Sequence, residues 1–216
     1  MVLAVPLFLR PRGTAQVDCA RPSGDAGRRL PDARDGFDHQ RIDSVENKRL
    51  DNSHFDKSSK VKIVYVGALN NTKNQIALLE VLKTTKMEAE VIFLGDGVNK
   101  KTLIDYSKHI PDSVKVAFKG RVSRDLAIEH MLEADVSISL SKGEGLPIAV
   151  LESMYVGCFM ILSIIPPHKE VSPPLERCFF VDISNKVEII NSLNYVRNNI
   201  KQIRASRAKS KEYSIS

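Results

Sequence analysis

The chain reads VKIVYVG at residues 61–67, a β-branched run that ends at a glycine. Such a run predicts a strand that is buried on both faces, and the glycine allows a tight turn where the strand ends. Similar runs follow as far as residue 181, with a helical apolar pattern between most of them. This alternation predicts an α/β fold in which helices cover both faces of a parallel sheet.

The predicted elements lie between residues 61 and 209. The strands are expected at 61–66, 90–94, 114–118, 135–140, 159–163 and 178–181, and the helices at 74–85, 98–109, 124–133, 147–156 and 187–209. Residues 1–59 lack this pattern and are rich in Pro, Gly, Asp and Arg. We therefore predict an irregular tail or linker over 1–59 and a folded domain over 60–216 that is truncated at its C-terminus.

The composition is that of an ordinary globular protein of 216 residues, with 43% hydrophobic and 27% charged residues. Three cysteines without a CxxC spacing argue against a disulfide scaffold or a zinc module and fit a reducing compartment. No apolar run approaches the ~20 residues of a membrane span. These features predict a cytoplasmic protein.

The net charge of +6 comes mainly from the end of the chain, because residues 186–216 hold 7 basic and 2 acidic residues. A nucleic-acid reader would show a basic stripe across the domain, so we expect no nucleic-acid partner. The basic C-terminal helix is interpreted as a solvated helix end. Peripheral contact with anionic lipid head groups or an acidic partner remains an alternative.

Glycines follow several predicted strands, at the edge where ligands bind in open parallel sheets. They are Gly67, Gly95, Gly97, Gly120, Gly143 and Gly145. The chain has no GxxxxGK[ST] motif, which excludes an ordinary P-loop. The dinucleotide motif is incomplete, because Lys100 stands where a third glycine belongs. A nucleotide site of another kind is therefore favoured over hydride transfer.

Two carboxylates, Glu144 and Glu152, flank the start of the predicted helix at 147–156. The N–H groups of Gly145 and Leu146 at this helix end make a place for an anion. Two acids beside an anion site can accept hydrogen bonds from sugar hydroxyls, which is the chemistry of a nucleotide-sugar. The alternative that Glu144 and Glu152 are an ordinary cap and a buried helix acid stays open.

The stretch ISLSKGEGLPIAVLESM at residues 138–154 resembles the E-x7-E region of family 4 (group 1) retaining nucleotide-sugar glycosyltransferases. Further matches are VGAL at 66–69, KNQ at 73–75, LGDG at 94–97, FKGRV at 118–122 and IPPHKE at 165–170. The resemblance covers about residues 60–214. It implies one Rossmann-like lobe of a GT-B fold, namely the C-terminal lobe that binds the donor.

The resemblance also implies residue roles. Glu144 would face the transferred sugar, Lys73 would neutralise the donor diphosphate, and Glu152 would hold the ribose hydroxyls. The other donor-binding candidates lie in the loops around them and are Gly67, Val122, Gly145 and Leu146. The donor would be a UDP- or GDP-sugar, with no metal or other cofactor, and the acceptor a glycan or a lipid-linked glycan.

The chain departs from the family at several points. Ala68 stands where the family's first loop carries an arginine, and residues 1–45 are not expected to form an acceptor lobe. Transfer would then need an acceptor lobe from a partner chain. The alternatives are a non-catalytic nucleotide-sugar-binding module or degenerate fragment, and an unrelated α/β nucleotide enzyme such as an oxidoreductase or epimerase.

Overall fold

The computed structural model of the protein describes residues 37–50, 60–171 and 175–210. Six strands form one parallel sheet with the order β3-β2-β1-β4-β5-β6. They are β1 (Val61–Val66), β2 (Ala89–Leu94), β3 (Val114–Gly120), β4 (Val136–Ser139), β5 (Phe159–Ser163) and β6 (Cys178–Val181). All six predicted strands are confirmed, and some ends differ by one or two residues.

Helices cover both faces of the sheet, as predicted. They are α1 (His39–Leu50), α2 (Gln75–Leu82), α3 (Lys100–Ser107), α4 (Arg124–Glu133), α5 (Ile148–Tyr155), α6 (Pro166–Glu170) and α7 (Lys186–Ser210). α2, α3 and α7 pack on one face, and α1, α4 and α5 on the other. Alternate residues of β1 serve the two faces, since Ile63 and Tyr65 belong to the first core and Val64 to the second.

The short helix α6 is absent from the sequence prediction. It begins at Pro166, and proline fits the first turn of a helix because its fixed φ suits that position and no N–H is needed there.

The prediction of irregular structure over residues 1–59 is wrong for residues 39–50, which form α1. Phe37, Ile42 and Val45 are buried, and α1 packs against α4 and α5. The hydroxyl of Tyr155 on α5 also donates to Asp43 on α1, at 3.0 Å. The remaining residues of that segment, 1–36 and 51–59, lie outside the described residues.

Two arginine side chains of α7 are hydrogen-bonded to other parts of the domain. Arg204 donates from Nε and Nη2 to the two carboxylate oxygens of Asp135, at 2.7 and 2.9 Å. Arg207 donates to the carbonyl oxygens of Ala134 and Val156, the C-cap residues of α4 and α5, at 2.6 and 3.1 Å. A cation beside the last carbonyls of a helix stabilises that end. The interpretation of a solvated basic helix therefore fails for these two residues, whereas Lys201 is exposed.

The backbones that follow β1 and β2 come into close contact, and a glycine stands on each side of this contact. A Cβ on Gly95 would lie 2.0 Å from the carbonyl oxygen of Gly67, and Gly95 has a φ of +136°. Only glycine meets both requirements without strain. This contact brings the loops that follow β1 and β2 together at the edge of the sheet where the candidate site lies.

Candidate functional site

The candidate site lies where the strand order reverses. β1 and β4 are neighbours in the centre of the sheet, and the chain proceeds outward from them in opposite directions. The loops that follow such strands separate and leave a crevice, which is where open α/β sheets bind ligands. The loop after β1 carries Lys73 and the loop after β4 carries Glu144, so the two predicted catalytic residues belong to this crevice.

Lys73 and Glu144 form an ion pair. The ammonium Nζ of Lys73 donates to Oε2 of Glu144, and the hydroxyl of Ser141 donates to Oε1 at 2.6 Å. The side chain of Glu144 is 8% exposed and that of Lys73 is 25% exposed. Both carboxylate oxygens are therefore held by donors, and the lysine remains accessible from the crevice.

Gly67 contributes space rather than a polar contact. A Cβ at this position would lie 3.5 Å from Cδ and Cε of Lys73, so the bare backbone lets the lysine stem lie along it. Gly67 has a φ of +149°, which also favours glycine. Gly67 was predicted as a donor-binding residue, and the structure places it against the stem of Lys73.

Two hydrogen bonds tie the loop after β1 to the loop after β4. The N–H of Lys142 donates to the carbonyl of Thr72 at 2.8 Å, and the side-chain amide of Asn74 donates to the carbonyl of Leu140 at 3.2 Å. Asn74 has φ 55° and ψ 38°, a left-handed conformation that asparagine tolerates better than most residues. These bonds hold the two loops at a fixed spacing.

The segment between Glu144 and α5 presents backbone donors. Gly145 and Leu146 are exposed, and their N–H groups have no hydrogen-bond partner among the described residues. α5 begins at Ile148, one residue later than predicted, with Pro147 as its N-cap. A Cβ on Gly143 or Gly145 would meet nothing within 4 Å. An open loop with free N–H groups before a helix is suited to an anion.

Glu152 forms a second ion pair, which the sequence did not predict. Nε of Arg124 donates to its Oε1 at 2.6 Å, and the Glu152 side chain is 6% exposed. Burial raises the pKa of Glu152, and the guanidinium of Arg124 opposes this rise. Arg124 is the first residue of α4, whose N-cap Ser123 accepts from the N–H of Leu126. Since Arg124 and Glu152 lie on different helices, no local spacing could have indicated the pair.

Val122 lies two residues before Arg124 and is partly buried against the core that contains α4 and α5. It is therefore close in sequence to Arg124. Of the other predicted residues, Lys73 and Glu144 form the first ion pair, Gly67 lies against the lysine, Gly145 and Leu146 follow the glutamate, and Glu152 belongs to the second pair.

His168 is fully buried and joins α6 to the sheet. Its Nδ1 lies 3.1 Å from the carbonyl oxygen of Ser163, and its Nε2 lies 3.3 Å from the hydroxyl of Ser139. A carbonyl only accepts, so Nδ1 carries the hydrogen and Nε2 accepts. Burial lowers the pKa of His168, which keeps the ring neutral. These contacts give His168 a role in shaping the loop after β5.

Within residues 37–50, 60–171 and 175–210, no three His, Cys, Asp or Glu side chains are grouped closely enough to hold a metal ion. None of the helices in those ranges is both long and apolar enough to cross a membrane.

Curated relatives with this sequence pattern act in polysaccharide biosynthesis. The chain is 31% identical over 147 residues to the capsular polysaccharide biosynthesis glycosyltransferase CapH of Staphylococcus aureus, and 27% identical over 176 residues to the O-antigen biosynthesis glycosyltransferase WclY of Escherichia coli. The aligned parts cover 64% and 79% of this chain. They cover only 39% of CapH and 48% of WclY, so the chain spans less than half of each relative.

Solved glycosyltransferases share the fold. Anabaena Alr3699/HepE in complex with UDP superposes with a TM-score of 0.62 at 15% identity, over 82% of this chain and 50% of that one. The catalytic domain of cholesterol-alpha-glucosyltransferase from Helicobacter pylori has a TM-score of 0.61 at 19% identity, over 72% of this chain and 97% of that one. These likenesses confirm a Rossmann-like lobe of the kind found in GT-B glycosyltransferases.

A family model described as Glycosyl transferases group 1 matches residues 46–214, which include the whole sheet and both ion pairs. The match spans more than half of the chain and agrees with the motifs around Glu144 and Glu152. The chain belongs to the group 1 glycosyl transferases.

Proposed function

We propose that this chain is the donor-binding lobe of a family 4 glycosyltransferase that transfers a sugar from a nucleoside-diphosphate sugar to an acceptor hydroxyl, with retention of configuration. The observation that carries this proposal is the Lys73–Glu144 ion pair next to the N–H groups of Gly145 and Leu146, which bond to no other described residue. A cation and unpaired backbone donors at one sheet edge suit a diphosphate, and a carboxylate beside them suits a hydroxyl-rich ring.

Lys73 would change partners when the donor binds. In the structure its ammonium is bound to Glu144, and the oxygens of a diphosphate would compete for it. Glu144 would then keep the hydrogen bond from Ser141 and have Oε2 free to accept from a sugar hydroxyl. The ion pair thus holds both groups ready before the donor arrives.

Lys73 and the N–H groups would matter most in the transition state. The bond between the sugar carbon and the diphosphate oxygen breaks, and its electron pair leaves with the nucleoside diphosphate. The acceptor hydroxyl forms the new bond from the same face, and its proton passes to the leaving phosphate. Negative charge therefore grows on the diphosphate, where preorganised positive groups lower the barrier. We propose that no metal is needed for this role.

Glu152 would accept hydrogen bonds from the ribose hydroxyls. Its pairing with Arg124 opposes the rise of its pKa on burial and so favours the charged carboxylate, which binds hydroxyls more strongly than a neutral acid does. Val122 would line the nucleoside part of the site. The UDP in the HepE structure, a neighbour in fold, supports a UDP donor, and GDP is the alternative.

The acceptor would be a glycan or a lipid-linked glycan, as the names of CapH and WclY suggest. Because the chain spans less than half of these relatives, we propose that an acceptor lobe comes from a further part of the protein or from a partner chain. Peripheral membrane contact through α7 would depend on exposed residues such as Lys201, since Arg204 and Arg207 are bound within the domain.

Calorimetric titration of the chain with UDP, GDP and NAD tests the proposal. We expect one nucleoside diphosphate to bind, the variants Lys73→Met and Glu152→Ala to weaken it strongly, and the exposed control Glu129→Gln to leave it unchanged. Binding of NAD instead would favour an oxidoreductase. A folded chain that binds none of the three would contradict the proposal.

A second candidate is a nucleotide-sugar-binding module without transfer activity. It is favoured by Ala68, an exposed residue of the first loop that supplies no cation to the diphosphate. Binding of the donor without sugar transfer, even when an acceptor lobe and acceptor are supplied, would favour this candidate.

A further inference from the structure

The hydroxyl of Tyr65 lies between the two loops of the candidate site. It accepts a hydrogen bond from the N–H of Leu140 at 2.9 Å and donates to the carbonyl oxygen of Lys73. One oxygen atom of β1 therefore contacts the peptide group of Lys73 and the start of the loop that carries Glu144. Tyr65 is only 1% exposed, so these contacts are shielded from bulk solvent.

Aromatic residues of the neighbouring strands hold the ring of Tyr65 in place. It stacks on Phe93 of β2 with ring centroids 5.8 Å apart, and Phe93 stacks on Phe118 of β3 at 4.9 Å. These aromatic contacts fix where the hydroxyl points. Burial also raises the pKa of Tyr65, so the hydroxyl keeps its hydrogen and stays a donor.

We propose that Tyr65 is a positioning residue for the Lys73–Glu144 pair, because its hydroxyl fixes the backbone of Lys73 relative to the loop that carries Glu144. The inference rests on the proposed function for its meaning in catalysis, but the tie itself is a property of the free protein. Tyr65 makes no direct hydrogen bond to Nζ of Lys73 or to the carboxylate of Glu144 among the described contacts. It acts through the backbone of Lys73 and Leu140, and its hydroxyl also lies beside Ser141, whose own hydroxyl holds Glu144.

The other ties between the loops make a clean test possible. Lys142 with Thr72, and Asn74 with Leu140, hold the loops together without the hydroxyl of Tyr65. Tyr65→Phe removes one oxygen atom, keeps the ring stack and leaves the carbonyl of Lys73 and the N–H of Leu140 without this partner. We therefore expect the variant to fold, with the lysine loop less well fixed.

The matched control is Tyr155→Phe. The hydroxyl of Tyr155 is also hydrogen-bonded, but to Asp43 on α1, away from both loops. We expect Tyr65→Phe to weaken the binding of UDP or GDP, whichever the chain binds, by at least about fivefold. Tyr155→Phe should leave that dissociation constant within about twofold, although both variants lower the melting temperature.

A double-mutant cycle separates positioning from general destabilisation. If Tyr65 acts through Lys73, Tyr65→Phe should weaken binding in the wild type and have no further effect when Lys73→Met is already present. Equal losses in both backgrounds would overturn the proposal, as would an unchanged dissociation constant in Tyr65→Phe.

Hydrogen exchange of the free protein distinguishes this inference from the proposed function. We expect amides of residues 67–74 and 140–145 to exchange at least about tenfold faster in Tyr65→Phe than in the wild type or Tyr155→Phe. A wild-type chain that binds no nucleoside diphosphate but shows this change would contradict only the proposed function. Unchanged exchange in these loops would overturn the role of Tyr65.

Discussion

The guanidinium Nε of Arg124 lies 2.6 Å from Oε1 of Glu152, and the two side chains come from different helices. The carboxylate is almost fully buried, whereas the arginine is 30% exposed. Burying a charged group without an oppositely charged partner costs free energy. The main contribution of Arg124 to stability is therefore to offset the cost of burying the carboxylate of Glu152. Two consequences can be measured.

Arg124→Met should destabilise the protein by about 1–3 kcal/mol, because the buried Glu152 loses the cation that is hydrogen-bonded to it. The free energy of unfolding can be measured by urea denaturation. Arg121→Met is the matched control, since Arg121 is exposed just before the same helix and should change stability by less than about 0.5 kcal/mol. Equal effects of the two substitutions would show that Arg124 does not protect Glu152.

Glu152→Gln should change how stability depends on pH. The pKa of Glu152 is raised by burial from its ordinary value of 4.5, so the folded protein holds this proton where the unfolded chain has released it. The free energy of unfolding of the wild type therefore falls as the pH rises from 4.5 through the raised pKa. Glutamine does not titrate. The free energy of unfolding of the variant should therefore rise relative to that of the wild type as the pH increases across that interval. Parallel stability curves would contradict this expectation.

Gly95→Ala should destabilise the protein by about 2 kcal/mol or more. The new Cβ would lie 2.0 Å from the carbonyl oxygen of Gly67, at a φ that alanine rarely adopts. Gly143→Ala is the control, because its Cβ would meet nothing within 4 Å. Thermal denaturation of both variants provides the measurement. A loss in Gly143→Ala as large as that in Gly95→Ala would refute the steric explanation.

Arg204→Met should cost about 2–4 kcal/mol in the free energy of unfolding, since it leaves the carboxylate of Asp135 buried without its bidentate partner. Lys201→Met changes an exposed cation on the same helix and should have an effect below about 0.5 kcal/mol. Guanidinium denaturation measures both. If the two cations prove equivalent, α7 is a solvated basic helix after all.

Periodicity in the sequence predicted the sheet and most helices because long β-branched runs and helical apolar spacing are local signals. α1 was missed because its apolar positions are few, and its stability comes from packing on α4 and α5. The short helix α6 was missed as well, since it holds a single turn. Glu144 and Lys73 were proposed as site residues from loop motifs that resemble the family, and their catalytic roles stay predictions.

The partners of the site residues could not be predicted in the same way. Arg124 is 28 residues from Glu152, and Tyr65 is 75 residues from Leu140. Contacts of this kind depend on which strands are neighbours in the sheet. The alternation of strands and helices along the sequence predicts that the strands are parallel, but it does not predict their order. The contacts of Arg204 and Arg207 with the domain could not be predicted either. Charge alone does not distinguish a solvated cation from one that binds carbonyl groups.

α4 and α5 are fastened to each other at two separate places. Arg207 bridges their C-terminal ends through Ala134 and Val156, and the Arg124–Glu152 pair joins them nearer the crevice. With two connections at different points along their length, α4 and α5 cannot slide or tilt independently of each other. We therefore expect any movement of this lobe to carry both helices as one rigid body and to leave local adjustment to the loops.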